Sequence, residues 1–101
     1  MSKQNFSTFL EEDARLTILR ALHEQTNNTL HDNLIRATLD SFGHTHSREW
    51  VRTQLRKLEE IGAVTLTEAG TVLIATLTRA GLDHLERRSV LEGVKRPSPG
   101  E

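Results

Sequence analysis

With 101 residues, the chain is long enough for one small core and too short for a two-lobed enzyme with a cleft between its halves. Thirteen basic against fourteen acidic side chains leave a net charge of −1, so a polyanion can be held only where charge is locally segregated, and the lack of cysteine excludes disulfides, thiolate metal sites and cysteine nucleophiles. A hydrophobic share of 36% beside 27% charged residues is that of a folded domain, and no apolar run approaches the roughly 20 residues of a membrane span, so a soluble cytoplasmic protein is expected.

In chain order, Thr8 followed by Glu11 has the spacing of a capping box and predicts a first helix from Thr8 to Gln25. Its apolar stripe is Leu10, Ala14, Ile18, Ala21 and Leu22, with Glu11, Glu12, Asp13, Arg15, Arg20 and Glu24 on the solvent side. Thr26, Asn27, Asn28 and Thr29 favour a turn through local side-chain to backbone bonds. A second helix is predicted over His31 to Phe42, with Leu34, Ile35, Thr38, Leu39 and Phe42 facing inward and Gly43 as its stop. Ser47 is placed to cap a third helix that ends at Gly62. The runs Ala63 to Thr67 and Val72 to Thr76, separated by Glu68, Ala69, Gly70 and Thr71, read as one β-hairpin. Thr78 then caps a last helix through Leu82 and Leu85 towards Leu91, with Gly81 a weak point in its first turn. Residues 1–92 thus form the domain, and residues 93–101, holding both prolines and little to bury, predict a mobile tail.

The expected class is α+β and mostly helical: a three-helix core, a hairpin wing and a C-terminal helix, the order of a winged helix-turn-helix domain. Ser47 to Val64 resembles the recognition helix and first wing strand of MarR-, ArsR- and PadR-type repressors. The resemblance rests on a small polar cap at Ser47, an apolar Val51, leucines at 55 and 58, then Glu59-Glu60-Ile61-Gly62 and a β-branched strand. Leu77-Thr78-Arg79-Ala80-Gly81-Leu82 is similar to the run with which many such proteins leave the wing. In those families a small residue often stands where Trp50 does. The resemblance implies a small repressor-type transcriptional regulator that binds double-stranded DNA as a homodimer through its first and last helices; a phage or prophage setting suits its size.

Helical geometry separately puts Val51, Leu55 and Leu58 on one side of the third helix, with Ile61 at the margin, and Glu49, Arg52, Thr53, Arg56, Lys57 and Glu60 on the other. From His44 to Leu58 the cations are Arg48, Arg52, Arg56 and Lys57 against Glu49 alone, a segregation that suits a helix in the major groove. Arg52 and Thr53 are the expected base readers, Arg48, Arg56 and Lys57 are divided between bases and phosphates, and Thr45 and Ser47 fall to the phosphate backbone. The same cations also fit an ordinary solvated face, with Arg56 paired to Glu60. The wing tip, Glu68 to Thr71, carries an acid where many wings carry arginine or lysine. That feature favours a wing held clear of DNA or, as the alternative, a winged helix used as a protein-interaction or assembly module.

His44, His46 and the Asp83-His84 pair are faintly similar to the zinc ligands of some ArsR-type sensors, but they are dispersed and lack cysteine, so turn and capping roles are expected and no metal or cofactor. No nucleophile elbow, phosphate-binding glycine loop or zincin motif occurs, and the pairs Glu11-Glu12 and Glu59-Glu60 suit solvated helix surfaces, so no catalysis is expected. The Trp50 ring is expected to pack on the second helix or to meet a partner. A single winged helix touches one half-site, so dimerisation is expected, with Leu16, Leu19, Phe6 and Phe9 ahead of Leu82, Leu85, Val90 and Leu91 as candidate surface, unless Phe6 and Phe9 cover the monomer core.

Overall fold

Between Ala14 and Leu22 the first helix is apolar on nearly every side, and this half becomes the rod around which the rest of the chain packs. The computed structural model describes residues 3–99. It contains α1 (Lys3–His23), β1 (Thr29–His31), α2 (Asp32–Ser41), α3 (Arg48–Glu60), β2 (Val64–Ala69), β3 (Val72–Leu77) and α4 (Arg79–Leu85). About half of the chain is helical, and the strands form one antiparallel sheet in the order β1-β3-β2, so the fold is a compact α+β arrangement. Its radius of gyration is 12.8 Å, the size of one domain of this length. No helix among the described residues is long and apolar enough to cross a membrane.

Helix α1 starts five residues before the expected cap, so Thr8 and Glu11 lie inside it and form no capping box. Because α2, α4, β1 and β3 all touch α1, the off-stripe Leu16 and Leu19 are buried core residues and are unavailable to an interface between copies. Arg15, expected on the solvent side, is also buried. Its Nε donates to Gln54 Oε1 at 2.8 Å, Nη1 to the Gly93 carbonyl at 2.7 Å and Nη2 to Glu11 Oε1 at 2.9 Å. A buried guanidinium is tolerated only when its charge is paired and its donors are used, and here both conditions hold.

Helices α2 and α3 end alike. Gly43 and Gly62 take φ of +90° and +83°, and the following amides reach back, His44 N–H to Leu39 O at 2.8 Å and Ala63 N–H to Leu58 O at 2.9 Å. The predicted inward stripe of α2 is divided: Ile35 and Leu39 are buried, whereas Leu34 and Phe42 are exposed. The hairpin forms as predicted and is longer, with Ala69 paired to Val72 and only Gly70 and Thr71 between the strands. Leu73, Ala75 and Leu77 alternate into the core. Strand β1, where the sequence predicts Thr29 in a turn, adds to the other edge of β3 through Thr29 with Thr76 and His31 with Ile74.

The last helix ends at Leu85, and the chain then folds back instead of trailing away. His84 is buried with both ring nitrogens used by backbone: Nδ1 accepts from Leu91 N–H at 3.0 Å, and Nε2 donates to the Lys95 carbonyl at 2.9 Å. Val94 enters the core and Pro97 is buried, while Lys95 N–H donates to Glu12 O at 3.2 Å. The expectation that residues 93–101 have little to bury is therefore corrected for 93–97; Gly100 and Glu101 lie outside the described residues.

Candidate nucleic-acid interface

Helix α3 buries Val51, Leu55 and Leu58 completely, as its periodicity predicts, and the Ser47 hydroxyl caps it by accepting from Trp50 N–H at 3.1 Å. Arg48, Arg52 and Arg56 follow one another at four-residue spacing along the side next to the β2–β3 hairpin. Lys57 lies about 140° round the helix from Arg52 and reaches the other way, its Nζ 4.0 Å from Glu11 Oε1 of α1. The predicted single row of cations is thus two sets.

Asp32, the first residue of α2, organises the larger set. It is 0% exposed, and its Oδ2 accepts from Arg52 Nη1 at 2.6 Å, Arg48 Nε at 3.2 Å and the Leu73 N–H of β3 at 3.3 Å. Both arginines also donate to the Thr71 carbonyl at the hairpin turn, Arg52 from 3.5 Å and Arg48 closer in. One carboxylate therefore joins α2, α3 and the hairpin. Burial pushes the Asp32 pKa up, but the hydrogen bonds from Arg52, Arg48 and Leu73 outweigh it and hold the carboxyl below its ordinary value. Its Oδ1 is buried without a hydrogen-bond partner among the described residues.

This geometry restrains Arg52: with its side chain 20% exposed and Nη1 on Asp32, it is a fixed member of a cluster and not a mobile cation. Arg48, 34% exposed, is held in the same way. Arg56 is different. Its Nη2 lies 3.8 Å from Glu68 Oε2, not against Glu60, and with the two side chains 53% and 69% exposed the pair is worth at most about 1 kcal/mol and exchanges readily for another anion. Glu68 belongs to β2 beside α3, so the hairpin tip proper is Gly70 and Thr71. Thr53 is exposed and donates back to Glu49 O at 3.1 Å; Thr45 is exposed at the turn before α3 and donates to Asp40 Oδ1 at 2.6 Å. The structure therefore brings Arg48, Arg52 and Arg56 to the hairpin side, leaves Thr45 and Ser47 at the start of α3, and sets Lys57 apart. Asp32 is what sequence reasoning missed: an acid in a first helical turn is ordinary, and its partners lie 16 and 20 residues further on.

Below the start of α3, Trp50 stacks on His46 with ring centroids 3.6 Å apart and planes 10° from parallel, and its ring also packs against the core. His44 Nε2 lies 2.8 Å from Asp13 Oδ2, whose other oxygen is 3.2 Å from Lys95 Nζ, so the α2–α3 turn, α1 and the C-terminal segment share one ion cluster. Among the described residues no group of three or more His, Cys, Asp or Glu is placed to hold a metal ion. Burial and the neighbouring His44 charge hold the His46 imidazole below its ordinary pKa, with Glu11 opposing. Burial raises Asp13, but hydrogen bonds from His44 and Lys95 more than reverse it, so its pKa is lowered.

These directions share one sign. A histidine with a depressed folded pKa is protonated first in the unfolded chain, so stability declines as pH falls through about 6.5, and depressed carboxyls withdraw their contribution as pH falls through and below about 3.9. Melting temperature against pH should show a shoulder opening near pH 6.5 that disappears in His46→Gln, and a second, steeper loss below about pH 4 that remains. A melting temperature that rises between pH 7 and pH 5 contradicts the assignment.

Two relatives are similar over nearly the whole chain. The uncharacterized protein gp26 of Escherichia phage Mu is 41% identical over 90 residues, covering 89% of this chain and 93% of its own length. An uncharacterized protein of Haemophilus influenzae is 33% identical over 98 residues, covering 96% of this chain and 94% of its own. No protein-family model and no solved structure matches the chain.

Proposed function

This chain belongs to the same family as gp26 of phage Mu, and from its geometry we propose that it binds duplex DNA as a small winged helix-turn-helix regulator of repressor type. The observation that carries the reading is the succession Arg48, Arg52, Arg56 along the side of α3 beside the hairpin, with Thr45, Ser47 and Thr53 exposed on the same helix and the turn before it. The element order, with a short strand between α1 and α2 and a hairpin after α3, agrees with a winged helix whose third helix enters the major groove. A relative in phage Mu suits a phage or prophage setting.

Asp32 and Glu68 reduce the charge of the arginine run from three to one, so the electrostatic contribution is modest. Arg56, Lys57 and the net cation of the Asp32 cluster offer two to three phosphate contacts per protomer, which sets a slope of log K against log salt of about −2 to −3 per protomer. Fluorescence anisotropy with a random duplex between 50 and 200 mM salt, conditions over which such a slope is measurable, should give that value. The pair Arg56→Ala with Lys57→Ala should weaken binding at least about tenfold and flatten the slope by about two. No duplex binding, or binding indifferent to salt and to both changes, contradicts the reading.

The exposed Phe6, Phe9, Leu10 and Phe42 favour a second reading, a protein-interaction or assembly module. Within the DNA reading, Phe6 and Phe9 on the first helix and Val90 after the last one are where two copies would pair, since Leu16 and Leu19 are already buried.

A further inference from the structure

We infer that Asp32 sets the selectivity of duplex binding, as a positioning residue for Arg48 and Arg52; the inference rests on the DNA reading above. Two guanidinium groups converge on one oxygen of a carboxylate that has no solvent exposure. The Leu73 amide of β3 is a third donor to the same oxygen, so the carboxylate cannot turn with one arginine without leaving the sheet. The Thr71 carbonyl receives the same two arginines, which registers the hairpin turn against α3.

The consequence is chemical. Left to themselves, two arginines on an exposed helix are mobile cations that accept any phosphate and add two charges to random binding. Tied to Asp32 they become one rigid unit of single net charge. Each guanidinium carries five N–H donors, and those not facing Asp32 and Thr71 keep fixed directions at the seam between α3 and the hairpin. A fixed fork discriminates among planar acceptors, the edge of a guanine or a phosphate in one register, where a mobile one does not. Asp32 thereby trades random affinity for a defined fit, and it does so without touching DNA.

The test uses the full chain, a random duplex and a duplex enriched by the wild-type chain from a randomised pool. Asp32→Asn keeps the shape of the side chain and removes its charge. It should make the salt slope on the random duplex steeper by about one and lower the enriched-to-random affinity ratio about tenfold. Arg52→Lys keeps the charge and loses the fork, so the slope should stay while the ratio falls similarly, and this variant decides the matter if Asp32→Asn does not fold. A ratio unchanged in a folded Asp32→Asn, or in Arg52→Lys, overturns the inference, even where affinity falls equally on both duplexes, which is what a merely structural Asp32 gives. A wild-type chain that enriches no duplex removes the DNA reading itself and the inference with it.

Discussion

Asp32→Ala should lower the melting temperature by roughly 10–20 °C, as a two-state melt followed by circular dichroism measures it. Removing one partner of a buried ion pair costs on the order of 3–5 kcal/mol, because the charge left behind is desolvated and unanswered. Two terms reduce that figure here. Arg48 and Arg52 are 34% and 20% exposed and can turn partly to water, and the unpartnered Asp32 Oδ1 is itself a cost of the native state that the variant removes. Against them, the Leu73 amide loses its acceptor and the two guanidinium groups are left side by side. About 2–3 kcal/mol remains, and at 4–8 °C per kcal/mol for a domain of this size that gives the stated shift. A fall of less than about 3 °C would mean that the cluster adds no stability and only positions its members.

The second large effect is expected at Gly81, in the first turn of α4. Helix propensity alone says that Gly81→Ala gains about 1 kcal/mol. Sterics oppose it. A Cβ there would stand 2.4 Å from the Ala63 carbonyl oxygen and 2.7 Å from Leu77 Cδ1. The leucine can shift, but the carbonyl is backbone, held at the exit of α3 by the Thr78 amide at 3.1 Å. Overpacking of this kind costs about 1–3 kcal/mol and sometimes more, and with backbone as the obstacle we place it at the top of that range. The net loss is then about 2 kcal/mol, or roughly 8–16 °C in the melt. A melting temperature raised by Gly81→Ala would show that α4 slides away from the α3–β2 corner at little cost.

What sequence could and could not supply follows from the range of the forces concerned. Val51, Leu55 and Leu58 were legible as the buried side of α3, and Ser47, Thr78, Gly43 and Gly62 as ends of helices, because periodicity and capping act within a few residues. Strand β1 was not legible, since three residues next to turn-forming Thr26, Asn27 and Asn28 become a strand only by pairing with β3 more than forty positions on. The partners of Arg15, Arg48 and Arg52 were hidden for the same reason: they lie on other elements, and only the packed neighbours reveal what each guanidinium meets. Leu16 and Leu19 fall off the stripe that a single covering neighbour would bury, and they are core because elements press on α1 from several sides.

The return of the chain after α4 limits where this protein can be cut or joined. Ending it at Glu92 would strip Val94 from beneath the other apolar side chains, deprive Arg15 of the Gly93 oxygen and take the Lys95 carbonyl from Nε2 of His84. The closing segment is a strap that fastens the last helix to the first, so a graft or label belongs beyond Pro97.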